Sequence, residues 1–150
     1  MDLHLSGSNT INAPRKAVFE RLTDARFLAQ SLPDSEDVHL VDGSTLEAKI
    51  KVRVAVVSST LKVRMTVINK VAPDKATLQV DGSGSGSTLK ITSNFILTGD
   101  SPTKMEWTAD AVMGGVMAGL GSTLLKSFSA KKVDEIFSGI TKAIESASSP

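Results

Sequence analysis

GGVMAGLGSTLLKSFSAKKVDEIFSGITKAIES, residues 114–146, is the long segment of this chain whose apolar residues recur at helical spacing. Met117, Leu120, Leu124 and Phe128 fall on one helical line, Ile136, Ile140 and Ala143 continue an adjacent line, and Val133, Phe137 and Ile144 flank it. The spacing predicts a helix of about nine turns with a broad apolar face. Nearly everything upstream reads as strand, so that face can be buried only against the concave side of a sheet. The helix opens among Gly114, Gly115, Gly119 and Gly121, each costing about 1 kcal/mol against alanine inside a helix. They predict either a hinge or thinned first turn that leaves room for a ligand, or a close backbone approach to the sheet. Lys132 lies on the apolar line between Phe128 and Ile136, and its ammonium is expected to snorkel to water.

Working outward, Met105, Trp107, Ala109, Ala111 and Met113 alternate with Lys104, Glu106, Thr108 and Asp110, the period of two of a strand with one wetted face. Leu89, Ile91, Ser93, Phe95 and Leu97 precede them across a turn at Gly99 to Pro102, and Leu78 and Val80 lie before the run Gly82 to Ser87. Leu61, Val63, Met65 and Val67 alternate with Lys62, Arg64 and Thr66. Leu46, Ala48, Ile50, Val52 and Val54 do so with Glu47, Lys49, Lys51 and Arg53. Asp42-Gly43 marks a hairpin whose first arm would place Val38 and Leu40 inward and His39 outward. At the N-terminus Leu3, Leu5, Gly7, Asn9 and Ile11 alternate with His4, Ser6, Ser8 and Thr10. Asn12 is then expected to cap a short helix with Pro14 in its first turn, and Asp24 to cap a second that presents Phe27, Leu28 and Leu32 before Pro33 stops it. The architecture predicted is α+β: seven antiparallel strands in a curved meander around the long C-terminal helix, with two short helices after the first strand. Residues 1–146 make one domain in this reading, and 147–150 a disordered tail.

Composition narrows the chemistry. A net charge of +1 gives no global case for nucleic acid. The absence of cysteine removes thiolate nucleophiles, thiolate metal sites and disulfides, and two histidines, both on outward strand positions, make neither a metal site nor a base. No catalytic residue, metal or motif-bound cofactor is predicted. The Gly82 to Ser87 run lies between two strands and lacks the helix N-terminus and Lys-Ser/Thr of a phosphate loop, so it reads as a hairpin tip beside a cavity mouth. No leader or window of ~20 apolar residues is present, which predicts a cytoplasmic chain.

Two candidate sites remain. A sheet gripping a helix only 10 Å or so across can enclose space that neither fills. Met65, Ser93, Phe95, Met105, Trp107, Ala109, Ala111 and Met113 on the sheet, with Met117, Leu120, Leu124 and Phe128 on the helix, would line such a cavity and suit an apolar small molecule. The alternative is a filled core. On the outer side Lys49, Lys51, Arg53, Lys62 and Arg64 share one hairpin, which reads either as a solvated face that blunts edge pairing or as a docking patch for an acidic protein or an anionic membrane surface.

The order and spacing of several short motifs resemble one family. Gly7 to Ile11 followed by Asn12-Ala13-Pro14-Arg15, then Val18-Phe19, Leu22-Thr23-Asp24 and Leu32-Pro33, is similar to the START/Bet v 1-like (SRPBCC, polyketide cyclase/dehydrase) superfamily. Gly82 to Gly86, Thr103 to Trp107 with Ala109-Asp110, and Gly114-Gly115 through Leu120-Gly121 and Leu124-Leu125 extend the likeness toward the CoxG family of carbon monoxide dehydrogenase subunits. The chain departs from that pattern at Asp34, where glycine usually follows Leu-Pro, and lacks a Gly-Pro pair after Val57. The resemblance implies a helix-grip fold and a non-enzymatic accessory protein. It would serve a molybdenum hydroxylase by carrying a lipophilic molecule such as a quinone or lipid, in the cytoplasm or peripherally at the membrane. Cyclase or hydrolase activity, or lipid transfer for an unrelated partner, are the alternatives the superfamily carries.

Overall fold

The computed structural model describes residues 2–31, 35–54 and 56–148. Strand β1 (Asp2–Ile11) leads into helices α1 (Arg15–Leu22) and α2 (Ala25–Ser31). Strands β2 (Ser35–Asp42), β3 (Thr45–Val54), β4 (Val57–Val71), β5 (Lys75–Gly84), β6 (Ser87–Gly99) and β7 (Thr103–Gly115) follow, then a 3-10 turn (Met117–Leu120) and helix α3 (Ser122–Ser148). The strands form one seven-stranded antiparallel sheet in the order β1-β7-β6-β5-β4-β3-β2. This is the helix-grip architecture that the periodicities predict. The alternation sets its register: Leu46, Leu61, Val63, Phe95, Leu97, Met105 and Met113 are buried, while Lys51, Arg53, Lys62, Arg64 and Lys104 lie on the opposite face. A slip of one residue would turn a strand's whole apolar set to water, at roughly 1.5–3 kcal/mol per large side chain.

Several local expectations are corrected. α3 begins at Ser122, not at Gly114. Gly114 and Gly115 instead complete β7, opposite Thr88 and Ser87, and close approach accounts for both. A Cβ at Gly114 would stand 2.5 Å from Thr88 Oγ1, and one at Gly115, whose φ is +74°, would collide with the Gly86 carbonyl. Gly121, at φ +93° with no neighbour within 4 Å, joins the 3-10 turn to α3, so there the need is conformational. Pro14 takes the cap position of α1 rather than its first turn, so the helix has no side-chain cap, and Asn12, two residues earlier, donates its amide to Glu145 Oε2 of α3 at 3.1 Å. Asp24 does cap α2, accepting from the Arg26 N–H at 3.0 Å. Leu32 and Pro33 lie outside the described residues.

β2 forms the predicted hairpin with β3 but not the predicted inward face. Val38 and Leu40 are exposed beside His39. β2 is an edge strand whose register shifts between Glu36 and His39 and again between Leu40 and Asp42, so nothing enforces its alternation. The α3 backbone stays helical to Ser148, beyond the expected limit at Ser146.

Candidate functional site

α3 rests on the sheet unevenly. Its contacts fall mainly on β1, α1 and α2, with a lesser one on β3. One anchor is Trp107 of β7, whose ring stacks on Phe137 of α3 with centroids 4.9 Å apart and 28° between planes. The indole N–H donates to Asn9 Oδ1 at 3.3 Å, and the ring lies over Gly7, where an added Cβ would be 2.7 Å from Cζ2. The small residue on β1 thus makes room for tryptophan rather than for a ligand.

Beyond this anchor the cover thins. Cross-strand pairing aligns Leu3, Ala111, Ile91, Val80, Met65 and Leu46 in one inward row. Its outer members Leu3, Ala111 and Leu46 are buried, whereas Ile91, Val80 and Met65 in the middle are only half-buried. In the next row Leu5, Ala109, Ser93 and Leu78 are half-buried, and Val67 alone is buried. Phe128, Val133 and Ile136 of α3, with Leu120 of the preceding 3-10 turn, pack against the core and are half-buried too.

Of the residues that the sequence predicts as cavity lining, Met65, Ser93 and Ala109 lie in these half-covered rows with Ala111 at their margin, and Leu120 and Phe128 are half-buried as well. Phe95, Met105, Trp107, Met113 and Met117 are packed into the core, Met105 with no exposed surface at all. Leu124 turns outward and is 40% exposed. Leu78, Val80, Leu89 and Ile91 join the half-covered set, and the alternation that places them inward is the signal that could have added them to the lining.

A cleft of about 520 Å³ opens at the end of this region where α3 begins. Val52, Arg53, Ser58 and Thr60 of the β3–β4 hairpin, Ser85 of the β5–β6 turn, and Phe128 and Lys132 of α3 are among its walls. The Gly82 to Ser87 tip is pinned here: Thr60 N–H donates to Ser85 Oγ at 3.3 Å, Val116 N–H to the Gly86 carbonyl at 3.0 Å, and Met117 N–H to Ser87 Oγ at 3.1 Å. Lys132 reaches out as expected. Its ammonium lies 3.3 Å from Glu135 Oε2 and 5.8 Å from the centroid of the Phe128 ring.

The outer basic hairpin is less bare than its sequence. Lys49 pairs with Asp37 at 3.3 Å and Lys51 with Glu36 at 2.8 Å, both carboxylates coming from β2, and Arg64 stands opposite Glu47 and Asp81 in the ladder. The hydrogen bond and charge of Glu36 hold the Lys51 ammonium above the ordinary lysine range. Both histidines are exposed, His4 with its Nδ1 at 2.6 Å from Asp110 Oδ1. Among the described residues no His, Asp or Glu is buried, and no group of them could hold a metal ion. Nor is any described helix long and apolar enough to cross a membrane.

A curved antiparallel sheet gripping a long C-terminal helix defines the START/Bet v 1-like class. A conserved protein from Geobacillus kaustophilus superposes with a TM-score of 0.86 at 22% identity, covering 97% of each chain. A START superfamily protein from Mycobacterium smegmatis gives 0.74 at 11% identity, over 96% of this chain and 98% of that one. The Zhui aromatase/cyclase from Streptomyces sp. R1128 gives 0.67 at 15%, over 97% and 94%. Within that class the chain belongs to the carbon monoxide dehydrogenase CoxG family, whose pattern matches residues 7–145. No functionally curated protein matches it.

Proposed function

We propose that this protein is a non-enzymatic carrier that holds a hydrophobic molecule, of the quinone or lipid kind, between the middle of the sheet and α3. One observation carries the reading: in the inward row that runs from β1 to β3, Ile91, Val80 and Met65 at the centre are less covered than Leu3, Ala111 and Leu46 on either side. A filled core has the opposite gradient. An apolar occupant would recover roughly 25 cal/mol for each Å² it removes from water. The polar groups available to orient it are few, Ser93 and Asn9, and each already has a hydrogen-bond partner. Among the described residues no Asp, Glu or His is buried, which favours the carrier over a cyclase or hydrolase. Family membership favours a molybdenum hydroxylase of the carbon monoxide dehydrogenase type as the protein served, and Lys49, Lys51, Arg53, Lys62 and Arg64 form the face available for docking it.

Thermal unfolding with added short-chain quinones and fatty acids tests the carrier reading. A native-state ligand raises Tm with concentration, by about 2.7 kcal/mol of stabilisation at a hundredfold excess over Kd. Ala109→Phe, which places a ring in the half-covered region, is expected to abolish that rise while leaving the free protein folded. A rise that survives Ala109→Phe, or no rise with any ligand, overturns the reading.

A further inference from the structure

The sheet has two edges, β1 and β2, and the sequence treats them differently. An open edge presents unpaired N–H and C=O groups to any other chain, and proteins blunt it with lysine, proline, bulges or charge. β2 is blunted: its register shifts twice, Asp37 holds a φ of +49°, and Glu36, Asp37 and Asp42 stand on it. β1 is not. It runs ten residues against β7 without a register shift and contains no lysine or proline. Ser6, Gly7 and Ser8 are exposed in succession, inward position included. A groove of about 240 Å³ opens between this strand and α3. Leu5 to Asn9 with Trp107 form one wall, and Ala130, Val133, Asp134 and Phe137 form the other. The helical wall is apolar but for Asp134, which is exposed and in no ion pair among the described residues.

We propose that the β1 edge takes up an extended segment of a partner polypeptide as an eighth strand, with an aliphatic side chain seated against Val133 and Phe137 and a lysine or arginine paired with Asp134. In strand addition the main-chain hydrogen bonds supply affinity, and pockets for alternate side chains supply selectivity. β1 offers the first and the groove the second. The same helix argues against a second copy of this chain as the occupant. α3 rests more on β1 than on any other strand, so joining two copies through β1 would set two helices over strands about 4.8 Å apart, where packed helices need about 8–10 Å between axes. A segment without a helix of its own meets no such obstacle. β1 stands at the opposite end of the strand order from the basic β3–β4 hairpin, so an eighth strand is a contact separate from that face.

A capped peptide, Ser-Thr-Val-Thr-Lys-Thr-Ser, carries valine and lysine on one face of a strand and tests this on the full chain. It is expected to bind saturably, to slow hydrogen exchange at alternate amides of β1, and to shift the emission of Trp107, the sole tryptophan, in the groove wall. Successive N–H groups of a strand point to opposite edges. Methylating the peptide's backbone nitrogens along one edge should therefore abolish binding, whereas methylating those along the other should not. Asp134→Lys, at an exposed helical position, should weaken binding roughly five-fold without moving Tm, and a peptide with glutamate in place of lysine should regain it. Absence of saturable binding overturns the proposal. So does binding that survives methylation of either edge, that slows no β1 amide, or that ignores the charge swap. A concentration-dependent dimer with the same β1 amides protected in the absence of peptide would give the edge to a second copy, and it too would overturn the proposal.

Discussion

Gly7→Ala tests whether the sheet and α3 are joined where Trp107 meets Phe137. The new methyl group would sit 2.7 Å from Trp107 Cζ2, 3.0 Å from Cε2 and 3.1 Å from Nε1. Carbon atoms in good contact stand at about 3.5–4.0 Å. The indole cannot move aside freely, because Phe137 is stacked on it and its N–H is held by Asn9. Overpacking of this kind costs about 1–3 kcal/mol, and loss of the aromatic stack adds about 0.5–1.5 kcal/mol. Alanine recovers about 0.5–1 kcal/mol relative to glycine in a strand. A net loss of about 1–3 kcal/mol is expected, a fall in Tm of roughly 3–9 °C for a chain of this size. Urea unfolding followed by the fluorescence of Trp107, the sole tryptophan, measures both the stability and the displacement of the ring. In a Phe137→Ala background the same substitution should cost less, since the stack is already gone. A Gly7→Ala protein within about 0.5 kcal/mol of the parent, with unchanged emission, would refute the argument.

Two further expectations concern the outer face of the β3–β4 hairpin. Lys62→Glu with Arg64→Glu, away from the hairpin tip, should leave thermal unfolding nearly unchanged while weakening capture of the cognate dehydrogenase at low salt; equal capture from the native source would leave these cations as solvated surface. Glu36→Gln should lower the Lys51 pKa toward the ordinary lysine value in an NMR titration. Because that pKa is raised in the folded state, the pair's contribution is complete below the unfolded lysine pKa and is lost as pH rises through the folded one, so it does not vary near neutrality. An unmoved Lys51 titration would show that Glu36 is not the cause.

The sheet is legible in the sequence because one period of two runs through most of its strands, and burial on one face makes that period binding on the structure. β2 shows the limit: Val38 and Leu40 alternate as well as any pair, but an edge strand with two register shifts gains little by obeying. The start of α3 is illegible for a different reason. A Gly-Gly-Val-Met run fits either a strand end or a helix start, and what decides is contact with Gly86 and Thr88, remote in sequence. The same holds for the site. Periodicity tells which residues point inward but not which are covered, since coverage depends on where α3 leans. Trp107 is inward on any count; that it fills the space over Gly7 follows only from the pairing of those two residues across β1 and β7. Asn12 reads as a helix cap, whereas its partner, Glu145, is 133 residues away in sequence and the helix starts three residues later at Arg15.

The order of strands also bears on how the chain is made. From β2 to β7 every pairing is a hairpin between sequence neighbours, so the meander can assemble strand by strand as synthesis proceeds. β1, which leaves the ribosome before the other strands, pairs only with β7, the last of them. During most of translation it therefore carries Leu3, Leu5 and Ile11 with no strand to join, and the sheet beside it lacks its final template. α3 rests more on β1 than on any other strand, so its seat on the sheet is complete only with that pairing in place. The nascent protein is thus most exposed to misassociation through its first strand, and burial of that strand coincides with closure of the fold.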